Sequence, residues 1–338
     1  MLDKKFIVGG VVMTSPLIVG AGVCKHPEAM GPYMRTDLPI GAVVTGSYTP
    51  FAREGNQGTI VWPATFNEVL EYGAGLNSMG MPNMGNEKAV LELRRLQPRL
   101  ALPYIASIAG FTVEDYMHGV VNFDLDNNSG ASAIEINLGC PNVQDKHPLP
   151  IACSIDRTRE VLLAVAEAGP KVPVWVKLSP CLTKEEVAEL KGKFPWFNFD
   201  LVPTFDYGQY KEILELLAKY TFVRAVVLNN TLPNARAFDS AGTSVTTPND
   251  GKAGMSGPAM FEITRNSVVR ARNILLSSET GIDIIASGGI VDGDGAAEML
   301  ELGAAAVACT SGPYWTGGPR FFADMLQSER LQNFLTRN

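Results

Sequence analysis

The chain has 338 residues, 46% of them hydrophobic and 19% charged, with a formal net charge of −7. That balance supports a large folded core and excludes a disordered chain, which combines low hydrophobicity with high charge. A net-negative chain also lacks the basic surface that non-specific nucleic-acid binding needs, yet it leaves room for a phosphate held by backbone N–H groups.

The chain begins with Lys4-Lys5 and an apolar stretch over 6–23, the outline of a signal peptide. Gly9-Gly10 splits that stretch into two β-rich pieces, 6–8 and 11–13, and Ser15-Pro16 breaks any helix, so a β-hairpin is expected instead. Nearly continuous apolar runs then recur at 17–19, 42–45, 104–107, 133–137, 174–178, 225–229, 283–286 and 305–308. Such runs suit parallel strands buried on both faces. Amphipathic stretches at 86–96, 155–167, 184–191, 210–219 and 260–276 read as the intervening helices. Eight strands alternating with helices predict an α/β fold, a closed (β/α)8 TIM barrel forming one domain over 1–338, with an N-terminal hairpin and long loop insertions at its C-terminal face. An open doubly wound sheet is the alternative, but no Gly-x-Gly-x-x-Gly follows the first strand. The connection over 46–102 is long and rich in Gly, Asn and Met, as expected of a loop that builds a site. No stretch is long and apolar enough to be expected to cross a bilayer.

Cys24, Cys140, Cys153, Cys181 and Cys309 show no Cys-x-x-Cys spacing, and His26, His118 and His147 are equally scattered. No metal site and no disulfide framework is expected, and a reducing cytoplasm fits best.

Four places could carry chemistry. The seventh strand runs into Ser287-Gly288-Gly289 and the eighth into Cys309-Thr310-Ser311-Gly312. Bare backbone before a helix receives phosphate, and loops after strands seven and eight are the usual phosphate site of a barrel. Turn geometry alone would explain either loop; two on consecutive strands favour phosphate. Asn137-Leu138-Gly139-Cys140-Pro141-Asn142 ends the fourth strand, placing two amides and a thiol at the mouth, suited to reading a polar ring. Lys177, near the end of the fifth strand, either snorkels to solvent or sets a cation beside an electron-accepting ring. Asn229-Asn230-Thr231 closes the sixth strand, and Gly254-Met-Ser-Gly257 is expected to open the next helical segment. Both add amides and bare backbone to the same face.

These motifs, in this order from about 5 to about 320, resemble the class 1 dihydroorotate dehydrogenases, FMN enzymes on a (β/α)8 barrel. Asn77-Ser-Met-Gly-Met-Pro-Asn83 is similar to the homodimeric, fumarate-reducing branch, which has no iron–sulfur partner and no membrane attachment. The resemblance implies that Cys140 takes a proton from a cyclic substrate while the adjacent ring carbon gives a hydride to FMN. It implies that Asn77, Asn137, Asn142, Asn230 and Thr231 hold the substrate ring and that the backbone at Met79, Gly80 and Met81 receives its carboxylate. For the flavin it implies Ala21, Gly22, Thr45, Gly46, Ser47, Lys177 and Asn229, with Gly257, Ser287, Gly288, Gly289, Thr310 and Ser311 at the ribityl phosphate. An unperturbed thiol ionises near about 8.5, so a thiol base predicts a rate that rises with pH.

One departure stands out. The family's Thr-Lys-Ser after the second strand is Thr45-Gly46-Ser47 here, which removes a charge-assisted hydrogen bond worth roughly 1.5–3 kcal/mol and, with the lost bulk, is expected to leave room. A cation from elsewhere, Arg53 or Lys25, could replace the lysine; the enzyme could be slower; or the substrate could be a different cyclic amide, bulkier or lacking the carboxylate. Restoring a lysine at 46 is expected to raise affinity for a carboxylated ring; if it only abolished activity, the space at Gly46 would belong to the true substrate. Two readings of other classes remain: a non-redox aldolase or isomerase using the same phosphate loops, and a binding protein that keeps FMN without catalysis.

Overall fold

A computed structural model describes residues 5–125, 129–140, 149–199, 204, 207–278 and 280–337. Its centre is a closed barrel of eight parallel strands: Leu17–Cys24, Ala42–Tyr48, Tyr104–Ile108, Ala133–Asn137, Val174–Lys177, Val223–Leu228, Asp283–Ser287 and Ala306–Cys309. All eight expected strands form, paired in chain order, with the fifth meeting the sixth and the eighth returning to the first. The expected helices form as Asn86–Leu96, Ile155–Ala168, Lys184–Lys193, Tyr207–Ala218 and Phe261–Ser277. Their starts follow from chemistry the sequence carries: Ser154 and Thr183, for example, each accept a backbone N–H of the first turn.

Alternation along each strand sorts the side chains into two layers. Ile18, Val44, Ile105, Trp175, Val227 and Ile285 fill the barrel, while Val19, Val43, Ile134, Val176 and Val226 pack outward under the helices. The expected hairpin, Phe6–Val8 with Val11–Met13, turns through Gly9 and Gly10, both at positive φ, which the tight turn requires. Val8, Val11 and Met13 join the inner cluster, and Trp175 Nε1 donates to Gly9 O at 3.0 Å. The hairpin thus plugs the N-terminal end of the barrel, and the opposite end is left for a site.

At that opposite end lies a feature the apolar runs do not announce: a five-stranded antiparallel sheet ordered Phe197–Asn198, Leu232–Ala237, Ala253–Ser256, Gly75–Asn77, Val61–Trp62. It is assembled from loops after the second, fifth and sixth barrel strands. Its strands are two to six residues long, too short for period-two alternation to register. Gly254 therefore belongs to a strand and not to the expected opening of a helix; it pairs with Asn77. Among the described residues no helix is long and apolar enough to cross a membrane.

Candidate functional site

The barrel ladder slips twice at its C-terminal end, between Val19 and Cys24 on the first strand and between Thr45 and Tyr48 on the second. Bulges of this kind turn backbone out of the ladder and toward a cavity. The cavity they border takes in about 1170 Å³, counting its open mouth.

Most of the expected residues meet on its wall: Ala21, Gly22, Gly46, Ser47, Asn77, Met79, Met81, Asn137, Cys140, Lys177, Asn229, Asn230, Thr231, Gly257, Ser287, Gly288, Gly289, Thr310 and Ser311. Two do not reach it. Thr45 is fully buried behind the wall, its hydroxyl 2.9 Å from Cys24 O and 2.7 Å from the Tyr48 hydroxyl. Gly80 supports the rim, its carbonyl accepting from Arg53 Nε at 3.3 Å. Asn142 lies outside the described residues. Of the two candidate cations, Lys25 lines the cavity, whereas Arg53 does not: its guanidinium sits 4.8 Å over the Phe111 ring.

The amides form a directed line. Ser107 donates to the buried Glu135 carboxylate at 2.7 Å, and its oxygen lies 2.7 Å from Ser47 Oγ. A carboxylate only accepts, so Ser47 donates to Ser107 and itself accepts from Asn137 Nδ2 at 2.9 Å. Asn137 Oδ1 then accepts from Asn230 Nδ2 at 3.0 Å, and Asn230 Oδ1 from Thr231 N at 2.8 Å. The buried Glu135 side chain thus anchors the line that fixes which face each amide presents. Cys140 follows directly, half-buried on the same wall, and Gly139 N donates to Asn137 Oδ1 at 3.2 Å, which ties the thiol's loop to the amides.

Two further features define what the cavity can hold. Lys177 is 6% exposed and makes no hydrogen bond or ion pair with the described residues. A cation placed there without a hydrogen-bond partner on the described protein suits an electron-rich occupant of the cavity. Gly288 and Gly289 hold φ of +118° and +76°, and a Cβ on Gly289 would lie 2.1 Å from Phe261 N. Only bare backbone fits there, and it leaves amides open to a phosphate. Asn229 sits between the two, its Nδ2 3.3 Å from the Thr264 and Ser267 hydroxyls and its Oδ1 unpartnered.

Gly46 needs a correction. Its φ is +101°, and a Cβ would lie 2.6 Å from Ser107 O and 2.9 Å from Tyr48 N. The missing side chain leaves no room in its own direction, and a lysine cannot be added on this backbone. Sequence reasoning also missed wall residues Met260, Val291, Tyr314 and Trp315. Tyr314 and Trp315 stand just after Thr310-Ser311-Gly312, so proximity to the suspected phosphate loop was the available signal.

A family model described as dihydroorotate dehydrogenase matches residues 1–202 and 200–330. The dihydroorotate dehydrogenase B (NAD(+)) catalytic subunit of Methanocella arvoryzae is 30% identical over 332 residues, 97% of this chain and 92% of that protein. The corresponding subunit of Streptococcus pneumoniae serotype 4 is 29% identical over 88% of this chain and 82% of its own length. Dihydroorotate dehydrogenase A (fumarate) of Limosilactobacillus reuteri is 28% identical over 88% and 83%. Among solved structures, DHODH from Eimeria tenella in complex with ferulenol superposes with a TM-score of 0.73, 18% identity, and coverage of 100% of this chain and 87% of that one.

Proposed function

The chain belongs to the dihydroorotate dehydrogenase family, and from that membership we propose that it is an FMN-dependent oxidoreductase, one unit over 1–338, that converts dihydroorotate to orotate. The observation that carries the cofactor is the partnerless Lys177 ammonium. It would offset negative charge on the flavin ring system. The glycine backbone at 257, 288 and 289, with Thr310 and Ser311, would hold the phosphate. Ala21, Gly22, Gly46, Ser47 and Asn229 would border the ring. Bound FMN supplies a hydride acceptor.

The remaining work falls to side chains of this chain. Asn77, Asn137, Asn230 and Thr231 would orient a cyclic amide through their fixed donors and acceptors, with the backbone at Met79 and Met81 beside it. The Cys140 thiolate takes the proton from the ring carbon next to the one that loses hydride. The small sheet contributes Asn77 and Ser256 to the cavity wall, which would limit the water around a bound ring.

In the family's motif a lysine stands where this chain has Gly46. That difference favours a second reading, the same flavin and thiol acting on a related ring without a carboxylate. The 77–83 motif favours fumarate as acceptor and a homodimer without an iron–sulfur partner. Measuring orotate formation from dihydroorotate with fumarate and with NAD+ tests the acceptor and the substrate together. Turnover supported by fumarate is expected. Turnover supported by NAD+ alone would overturn the acceptor, and none with either, in a protein that holds FMN, would favour the second reading.

A further inference from the structure

We propose that Lys25 anchors an anionic group of the substrate, standing in from the first barrel strand for the side chain that position 46 cannot carry; the proposal rests on the flavin-site reading above.

Three observations converge. The first is position. Cys24 pairs in register with Thr45, and the Thr45 hydroxyl donates to Cys24 O at 2.9 Å, locking the two strand ends together. The next residues along, Lys25 and Gly46, therefore leave the barrel side by side, and both line the cavity. The second is the closed alternative: at Gly46 any Cβ meets the Ser107 carbonyl at 2.6 Å. The third is the state of Lys25 itself. Its ammonium touches the Met79 thioether and lies 5.9 Å from the centre of the Tyr314 ring. Both are weak partners for a cation. No Asp or Glu is among the described residues of the cavity wall, so the protein does not neutralise this charge. Burial accordingly pushes the ammonium down to about 8.

Lys177 does not compete for the same group. It ends the fifth strand, four positions around an eight-stranded barrel from the first, so the two cations face the cavity from opposite sides. Lys25 meets Met79, in the 77–81 segment, which points its charge toward the substrate and not toward the bare amides after the seventh strand.

The test uses flavin-loaded wild type, Lys25→Met and Lys25→Arg, with dissociation constants for orotate and for uracil, which lacks the carboxylate, read from flavin absorbance changes. Lys25→Met is expected to keep its flavin, to weaken orotate about 10- to 100-fold, as loss of a charge-assisted bond does, and to leave uracil within about twofold. Lys25→Arg should recover most of the loss. Wild-type orotate affinity should hold below pH about 8 and weaken above it as the ammonium deprotonates, more steeply than in Lys25→Met, which lacks the ammonium. Tyr314 and Cys24, the titratable groups packed beside Lys25, are both raised by burial, Cys24 to about 12, and stay neutral through that window. Orotate binding unchanged in Lys25→Met, or wild type binding uracil as tightly as orotate, would overturn the anchor while leaving the flavin reading intact. Loss of flavin from Lys25→Met would reassign Lys25 to the cofactor. Wild type that takes up no flavin would sink the reading on which the proposal rests.

Discussion

Cys140→Ala is expected to remain yellow and to lose dehydrogenation by about 10²- to 10⁴-fold, the usual contribution of a positioned general base. The thiol stands on the cavity wall one residue beyond Gly139, whose amide is held by Asn137. A Cβ on Gly139 would approach the Leu178 backbone to 2.9 Å, so the residue before the thiol packs closely against the end of the fifth strand. Removing one sulfur from a half-buried position leaves the barrel intact, so flavin content and melting temperature should not move. The defect should appear in the rate of flavin reduction under anaerobic single-turnover conditions. In wild type that rate should climb with pH as the thiol ionises, and the alanine variant should lack the climb. The two pH effects should be told apart by the variants, the chemical step responding to Cys140→Ala and affinity for a carboxylated ring to Lys25→Met. Unchanged flavin reduction in Cys140→Ala would remove the thiol from the mechanism.

The second large effect is expected at Gly46. Introducing lysine there should destabilise the protein by about 2–4 kcal/mol, combining left-handed backbone strain with displacement of a packed carbonyl. The carbonyl belongs to Ser107, whose side chain carries the hydrogen-bond line from Glu135 to Ser47 and Asn137. Moving it would disturb the amides of Asn137 and Asn230, which are proposed to orient a substrate ring. Gly46→Lys should therefore melt earlier and bind orotate more weakly, not more tightly, and Gly46→Ala should show most of the stability loss without the charge. A Gly46→Lys protein with unchanged melting temperature and tighter orotate binding would show that the strand end can re-form around a lysine, and would remove the need for Lys25.

The barrel was legible because its strands are buried on both faces: 133–137 and 174–178 read as unbroken apolar runs, and their ends fell within a residue of Ala133–Asn137 and Val174–Lys177. The hairpin was legible because Gly9-Gly10 can take the positive φ that a two-residue turn demands. The covering sheet was not. Val61–Trp62 and Phe197–Asn198 are two-residue strands whose only signal is their tertiary pairing. Cavity walls were legible where a residue ends a barrel strand, as with Lys177 and Asn229. They were obscure where a wall forms from a helix that folds back, as with Tyr314 and Trp315. Thr45 was misplaced because strand alternation sends it behind the wall, while Gly46 and Ser47 in the bulge both face the cavity. The space assumed at Gly46 failed for another reason. A sequence shows that a side chain is gone, but not that a neighbouring carbonyl fills its direction.

The central claim is a flavin whose ring faces Cys140 and whose charge is met by Lys177. The most direct measurement is the visible absorbance spectrum of the purified protein before and after anaerobic addition of dihydroorotate. A flavin spectrum that bleaches on addition is the predicted result. A colourless protein that does not take up FMN would contradict the account.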